Sequence, residues 1–300
     1  MLPFKLVYHP GYDLNLGEHV FPSRKYRLIH DRLLEEHFAD PADFLEPQPA
    51  ADVDILRVHD PGWVERLKTG TLTVKELVKL EIPYSPEMVA AFWLATGGSI
   101  LAARNALSDR IAFNIGGGFH HAFPGHGEGF CAMHDVAVAI RALQHDGSIQ
   151  RALIVDLDVH HGNGTAAIFA GDRSVLTLSM HQFHNYPSEK PDSIIDIHLQ
   201  DGVEDEEYLS RLNDALAVAM GFAPNLVFYL AGADPYQHDQ LGGLSLTMEG
   251  LKQRDSLVFD TALTQNVPVA VVLAGGYARN TDDTVSIHCN TAKAAREALL

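Results

Sequence analysis

R-A-L-I-V-D-L-D-V-H-H-G-N-G, residues Arg151 to Gly164, is the stretch around which the rest of the chain is organised. Its apolar first part has the length and β-branched content of a fully buried strand, and acids, histidines and glycines follow at once. If the chain stays extended through this transition, side chains two positions apart share a face, so Asp156, Asp158 and His160 point the same way. This pattern predicts a divalent metal site at the end of a strand.

Apolar strands alternate with helical segments along the chain. The strand candidates are Leu6 to Tyr8, Val53 to Val58, Ile111 to Ile115, Ala152 to Val155, Val175 to Ser179, Leu226 to Leu230 and Val269 to Leu273, with Ser193 to Leu199 at an edge. The main helices are predicted from about Pro22 to Phe38, Ser85 to Leu107, Asp135 to Gln144, Glu206 to Met220 and Met248 to Leu263, and from Thr281 onward. This order predicts an α/β fold, a three-layer sandwich with a mostly parallel sheet between two layers of helices.

The amino-acid composition indicates which kinds of binding partner and which cellular compartment to expect. Lysine and arginine total 22 against 39 acids, a net charge of −17, which argues against direct nucleic-acid binding. An acidic surface suits cationic substrates such as lysine-rich tails or polyamines, but solubility alone is the favoured explanation. Cys131 and Cys289 have neither disulfide-framework nor C-x-x-C spacing, and neither a signal peptide nor a membrane helix is predicted. We therefore expect a soluble cytoplasmic protein.

Three further strand ends carry residues suited to chemistry. Gly116 to Gly118 follow one strand and lead to His120 and His121, while two later strands end in A-G-A-D, presenting Asp234, and A-G-G-Y, presenting Tyr277. In parallel α/β sheets the ligand site lies beyond the carboxyl ends of the strands, so these groups are expected to converge with the metal motif.

The residues at these ends form a plausible hydrolytic set. Asp158, His160 and Asp234 supply two carboxylates and one imidazole, which leaves positions open for water and a substrate oxygen. Zinc is the first choice, and ferrous iron, cobalt and manganese remain open. His120 and His121 are candidates for proton transfer, and the Tyr277 hydroxyl is a candidate donor to an oxyanion.

Several motifs together resemble the zinc-dependent histone deacetylase superfamily. They are G-G-G-F-H-H-A, G-F-C at Gly129 to Cys131, D-L-D-V-H-H-G-N-G, G-A-D at Gly232 to Asp234, L-G-G-L-S at Leu241 to Ser245 and G-G-Y at Gly275 to Tyr277. The resemblance runs from about Ala91 to the C-terminal helix. It implies the arginase/deacetylase-like sandwich and a single deacetylase-like catalytic domain over residues 1–300.

The resemblance also implies roles for individual residues. Asp158, His160 and Asp234 would bind zinc, Asp156 would orient His120, and the tandem histidines and Tyr277 would act on the substrate. Gly129, Phe130 and Tyr186 would line a narrow acyl-lysine channel. Family members commonly bind structural potassium, here near Asp156, Asp158, His160, Ser179 and Met180, and at a second position near Phe169, Asp172 and Val175.

Asn163 departs from the family pattern, because many members have aspartate there. The partner of His121 is therefore expected to be neutral. Together with Glu81-Ile82-Pro83, this makes the chain most similar to the class IV branch and to bacterial histone-deacetylase-like amidohydrolases.

The predicted reaction is removal of an acyl group, acetyl by default, from an acylated lysine of a protein or from an acylated small amine. A long-chain fatty-acyl-lysine deacylase and an acetylpolyamine deacetylase are the alternatives. A dinuclear ureohydrolase is remote because its D-x-H-x-D pattern meets Gly162 here, and an inactive acyl-lysine binding module would usually lack a ligand or the tyrosine. No membrane or nucleic-acid partner is expected, and the oligomeric state is open.

Overall fold

A computed structural model describes all residues of the chain, from 1 to 300. Eight strands form one sheet. They are β1 (Lys5–Val7), β2 (Phe44–Leu45), β3 (Ile111–Asn114), β4 (Ala152–Asp156), β5 (Val175–Gln182), β6 (Ile195–Leu199), β7 (Leu226–Leu230) and β8 (Val269–Val272).

Ten α-helices connect and cover the strands. They are α1 (Lys25–Glu35), α2 (Asp52–Ile55), α3 (Pro61–Thr69), α4 (Val74–Leu80), α5 (Pro86–Asp109), α6 (Asp135–His145), α7 (Asn163–Ile168), α8 (Asp205–Met220), α9 (Met248–Thr264) and α10 (Thr281–Ala298). Two short 3₁₀ turns, Pro10–Tyr12 and Pro41–Asp43, precede β2.

The strand order is β2-β1-β3-β8-β7-β4-β5-β6, and every neighbouring pair is parallel. The sheet is thus parallel throughout rather than only mostly parallel. β6 lies at one edge, as the half-polar segment at Ser193 to Leu199 predicts. β2 at the other edge was not predicted, because two residues carry no alternation to read.

Side chains of each central strand alternate between two separate cores. In β4, Leu153 and Val155 join the larger core, whereas Ala152 and Ile154 join the smaller one on the opposite face. Helices α1, α8, α9 and α10 contribute to the larger core, and α6 with the C-terminal half of α5 covers the smaller. Because both faces are covered, the continuous apolar strands are fully buried, and the three-layer prediction is confirmed.

The long helix α5 begins where the sequence predicts. The Ser85 hydroxyl caps it by accepting from Met88 N at 3.0 Å, and Pro86 occupies the first turn. Gly97 and Gly98 allow close packing, since a Cβ at Gly97 would lie 1.9 Å from the Gln48 carbonyl oxygen. By length and apolar composition alone α5 could cross a membrane, but 61% of its most apolar window is buried inside this protein.

The strand predicted at Val53 to Val58 is wrong. The segment forms helix α2, with Asp52 and Asp54 in its first turn, where carboxylates favour the helix dipole. Val53 and Leu56 are exposed while Ile55 is buried, so the apolar residues do not share the face that a strand would need.

The four strands β3, β8, β7 and β4 are neighbours, and the segments after their carboxyl ends carry the predicted functional residues except Tyr186, which follows β5. The expected convergence is therefore present. The chain does not stay extended past β4, however, but bends from Asp158 to His160 directly after the strand ends at Asp156. Asp156, Asp158 and His160 therefore do not share one face as expected. Asp156 pairs with His120, whereas Asp158 and His160 contact each other.

Candidate active site

Asp158, His160 and Asp234 form a buried cluster at the carboxyl end of β4 and β7. Their ligand atoms all lie within 4.8 Å of one another. Nδ1 of His160 is 2.9 Å from Asp158 Oδ1 and 3.4 Å from Asp234 Oδ2. The bend after β4 brings the first two side chains together, and the turn after β7 supplies the third.

The cluster fits a divalent cation. Asp234 Oδ2 is buried without a hydrogen-bond partner, and an unpartnered buried carboxylate oxygen costs free energy that a cation would recover. Gly275 permits the approach, because a Cβ there would lie 2.0 Å from Asp234 Oδ2 and 2.5 Å from Asp158 Oδ2. Burial and the neighbouring Asp158 carboxylate raise the pKa of Asp234 to about 7, and a bound cation would reverse this rise.

The tandem histidines lie beside this cluster, each with its own partner. His120 donates from Nδ1 to Asp156 Oδ2 at 2.8 Å, and Nδ1 of His121 is 2.7 Å from Asn163 Oδ1. Their Nε2 atoms are 3.1 Å apart. The structure thus brings these four predicted residues together and pairs His120 with Asp156 and His121 with Asn163, as the resemblance implies.

The two imidazoles have opposite electrostatic environments. Burial works against a charge on His120, but the carboxylates of Asp156 and Asp158 outweigh it and raise its pKa to about 9. Burial, with the positive neighbours His120 and His160, holds the pKa of His121 well below its usual value. Near neutral pH His121 is therefore the neutral imidazole of the pair, which is the form that accepts a proton.

Glu128 is a site residue that the sequence interpretation missed. Its carboxylate accepts a hydrogen bond from the side-chain amide of Asn163, and its Oε1 also lies 3.3 Å from the Tyr186 hydroxyl. Burial opposes its charge, but hydrogen bonds from His126 and Asn163 and the ammonium of Lys79 hold its pKa below the usual value. Asn163, the direct partner of His121, is neutral as expected. The carboxylate of Glu128, which is ionised, accepts a hydrogen bond from that asparagine.

Tyr277 points into the same site from the loop after β8. Its ring centroid is 6.2 Å from that of His160 and 6.1 Å from that of Phe130. Burial raises the pKa of its hydroxyl well above the usual value, so it remains a proton donor. Asp239, also missed from the sequence, positions this tyrosine by accepting from its backbone N at 2.6 Å.

Asp135 holds the glycine loop that carries the tandem histidines. This buried carboxylate at the start of α6 accepts from Phe119 N at 2.9 Å and from Gly118 N at 3.1 Å. The sequence contains one signal for it, an acid at the first position of the helix that follows the histidine loop.

A cavity of ≈ 220 Å³ leads from the surface to these groups. Gly129, Phe130 and Tyr186, the three predicted channel residues, all lie in its wall. His121, His160 and Tyr277 line the same cavity, as do Glu81, Asn185 and Leu241. The channel therefore connects an aromatic entrance to the cluster of candidate metal ligands and to His121, the candidate base.

Comparison with known proteins agrees with the site. The family model of the histone deacetylase domain matches residues 19–292. An uncharacterised protein of Picosynechococcus sp. is 44% identical over 98% of this chain and 99% of its own length. Histone deacetylase 2 of Arabidopsis thaliana is 32% identical, over 92% of this chain and 75% of its own length.

The fold has solved counterparts. The crystal structure of acetylpolyamine aminohydrolase from Burkholderia pseudomallei superposes with a TM-score of 0.80, covering 97% of this chain and 98% of that chain at 19% identity. At that identity the likeness concerns the fold. The family match spans most of the sequence and includes every strand-end motif of the site, and so the chain belongs to the histone deacetylase family.

Proposed function

We propose that this chain removes an acetyl group from the ε-amine of an acylated lysine or from a similar acylated amine, with zinc at Asp158, His160 and Asp234. As a member of the family it is a deacetylase, a hydrolase of linear amide bonds. The observation that carries the proposal is the channel of ≈ 220 Å³ that ends at the candidate metal ligands and at His121.

Each residue has a defined task in amide hydrolysis. A bound divalent cation supplies Lewis acidity that polarises the amide carbonyl and acidifies water. His121 takes the proton from the attacking water at Nε2 and returns it to the leaving amine, which is a poor leaving group until protonated. Tyr277 donates its hydroxyl proton in a hydrogen bond to the oxyanion, and the positive His120 stabilises the same negative charge.

Cavity size favours a short acyl group over a fatty one. Beyond the channel, the space among Phe119, His120, Cys131, Gly275 and Tyr277 amounts to only ≈ 20 Å³. That is room for one group about the size of a water molecule, such as the acetyl methyl, whereas a long acyl chain would have to displace packed side chains. Acetyl is therefore preferred to the long-chain alternative.

The carrier of the acetyl group is either a protein lysine or a small amine. Glu81 lines the channel, and a carboxylate at this position suits a substrate with a second positive charge, such as an acetylpolyamine. Glu81→Gln is expected to lower kcat/KM for acetylpolyamine several-fold more than for a neutral acetyl-lysine peptide. Glu87→Gln, an exposed acid at the start of α5, is the control.

The experiment compares kcat/KM for acetyl-lysine, long-chain acyl-lysine and acetylpolyamine at matched zinc loading. We expect at least one acetylated substrate to exceed the fatty one by 10-fold or more, the scale of roughly 1.4 kcal/mol. Asp158→Ala gives the background and Glu204→Ala, at an exposed acid, retains activity. Release of urea from guanidino compounds, with no acyl-amine hydrolysed above background, would contradict the proposal.

The ions and the compartment are part of the proposal. Zinc is preferred to iron, cobalt or manganese, and metal analysis of protein prepared without added metal tests this.

Potassium is proposed near Asp156 and Ser179, which the β4–β5 register pairs, and near Phe169, Asp172 and Val175. Loss of stability when potassium is exchanged for a large organic cation tests its role. The cytoplasmic location stays a prediction.

A further inference from the structure

We propose that His161, His181 and Asp196 form a second metal site, for a divalent transition ion such as zinc. Ligand atoms of these three residues lie within 4.8 Å of one another. His161 follows His160 in the chain, but its ring packs at 4.6 Å from that of His181 on β5, whereas the ring of His160 packs 6.2 Å from that of Tyr277. The two sites therefore lie on opposite sides of one loop.

Unpartnered polar atoms point into this second site. The side chain of His161 is 0% exposed, and neither of its ring nitrogens has a hydrogen-bond partner. Asp196 accepts from Ser193 N at 2.8 Å with Oδ2, while its buried Oδ1 has no partner. Buried imidazoles and carboxylates are normally satisfied, so these atoms indicate a missing ligand.

The spacing suits an ion rather than a direct hydrogen bond. His161 Nε2 lies 3.3 Å from Asp196 Oδ1. Two ligand atoms at zinc-like bond lengths of about 2.0–2.1 Å in a tetrahedral site are separated by roughly 3.3 Å. The Ser179 hydroxyl lies 2.9 Å from Nδ1 of His181 and orients that ring from behind, as outer partners of ligating histidines commonly do.

A fourth possible ligand, and a third imidazole, lies on the edge strand. His198 Nδ1 lies 2.9 Å from His181 Nε2, and β6 pairs His198 directly with His181. Asp196 is 16% exposed and β6 has no further strand beside it, so an ion can enter from this edge. Imidazole nitrogens with one carboxylate select zinc, nickel or copper over magnesium or calcium.

An ion here would act on the architecture of the catalytic loop. It would join His161, next to the zinc ligand His160, to strands β5 and β6 at the edge of the sheet. No proton-transfer or substrate-binding residue takes part in it. The second site is therefore expected to stabilise the loop that carries Asp158 and His160 without taking part in hydrolysis.

The test counts zinc in full-length protein that is stripped with a chelator, reloaded with zinc and dialysed. Elemental analysis is expected to give two equivalents for the wild type and one for His181→Gln and for Asp196→Asn. Asp192→Asn and His184→Gln change exposed residues of the same region and are expected to retain two. One equivalent in the wild type, or two in both site variants, would overturn the proposal.

Cobalt distinguishes the two sites and covers the case in which a site variant misfolds. In Asp158→Ala protein, Co²⁺ is expected to give visible absorption bands of a nitrogen-rich site at about one equivalent, with an increase in Tm by mass action. Both signals should be absent when Asp196→Asn is added. A folded Asp158→Ala protein, verified by circular dichroism, that binds no cobalt and shows no increase in Tm contradicts the second site.

Discussion

The side-chain amide of Asn163 donates a hydrogen bond to the carboxylate of Glu128. An ionised carboxylate only accepts, so the amide NH₂ group must face Glu128 and the amide oxygen must face His121, 2.7 Å from its Nδ1. That oxygen also only accepts, which assigns the proton of neutral His121 to Nδ1. Nε2 is then left with a lone pair, as a general base requires.

Replacing Glu128 by glutamine should impair this arrangement without removing the side chain. Because an amide can donate as well as accept, Asn163 is free to flip and the tautomer of His121 is no longer fixed. Hydrogen bonds to charged groups contribute about 1.5–3 kcal/mol, so kcat should fall roughly 10-fold to 100-fold. Steady-state kinetics at saturating substrate measure this.

Glu189→Gln, an exposed acid near the channel entrance, serves as the matched control and should leave kcat within two-fold, about 0.4 kcal/mol. Histidine ¹⁵N chemical shifts give an independent readout, since Nδ1–H should dominate for His121 in the wild type and lose that dominance in Glu128→Gln. An unchanged kcat together with unchanged shifts would show that Glu128 does not position the base.

The acidic limb of the pH profile should report the same carboxylate. As the proposed general base His121 must be neutral to act, so the limb should follow its pKa, which burial and positive neighbours already lower. Removing the negative charge of Glu128 destabilises the imidazolium further, and Glu128→Gln should move the limb to lower pH. Movement to higher pH would mean that another group titrates.

Moving the carboxylate from position 128 to position 163 should shift the acidic limb of the pH profile in the opposite direction. In Asn163→Asp/Glu128→Gln the carboxylate directly contacts His121, the imidazolium is favoured, and the limb should move to higher pH than in the wild type. Asn163→Asp alone should shift it less, because the new carboxylate faces Glu128 and the two share a proton. The pH dependence of kcat/KM for the two variants tests this order.

Tyr277→Phe should remove one hydrogen-bond donor and preserve ring packing against Phe130 and His160. If the hydroxyl stabilises the oxyanion, kcat should fall roughly 10²-fold to 10³-fold while KM changes little. Tyr84→Phe, whose hydroxyl donates to the Leu67 carbonyl away from the cluster, is the control. Equal turnover of Tyr277→Phe and the wild type would exclude this role.

The sheet was readable from the sequence because its central strands are continuous apolar runs buried on both faces, such as Leu226 to Leu230. The same rule fails at the margins. β2 is too short to show a pattern, and Val53 to Val58 is apolar enough for a strand although its hydrophobic side chains face different directions.

The residues proposed as metal ligands and proton-transfer groups could also be picked out of the sequence, since each lies in the segment that follows a strand. Glu128 and Asp239 were not, because they lie in long connections whose path depends on tertiary contacts. Glu128 reaches Asn163 across 35 positions of the chain, and Asp239 reaches the backbone of Tyr277 across 38. Only the glycines around Glu128, in G-H-G-E-G-F-C, hint that its backbone adopts a special path.

Arg254, a buried residue of helix α9, provides a test of how residues outside the active site support it. This fully buried side chain donates to Asp255 Oδ1 at 2.8 Å and to the Gly232 carbonyl at 2.6 Å, two residues before Asp234, one of the proposed zinc ligands. Arg254→Met keeps much of the volume but leaves the Asp255 charge buried and unpaired. The free energy of unfolding should fall by about 3–5 kcal/mol, measured by urea denaturation with circular dichroism.

Lys252→Met, on the same helix α9 as Arg254, is the matched control. It breaks a largely solvent-exposed ion pair with Glu297 on α10 and should cost no more than about 1 kcal/mol. Arg254→Met should also weaken zinc binding at Asp234, since the Gly232 carbonyl loses the donor that fixes its turn. Adding Asp255→Leu should restore most of the stability, because the unpaired charge is gone, but not the zinc affinity. If the double variant recovers both, the arginine acts only by neutralising Asp255 and does not position Asp234.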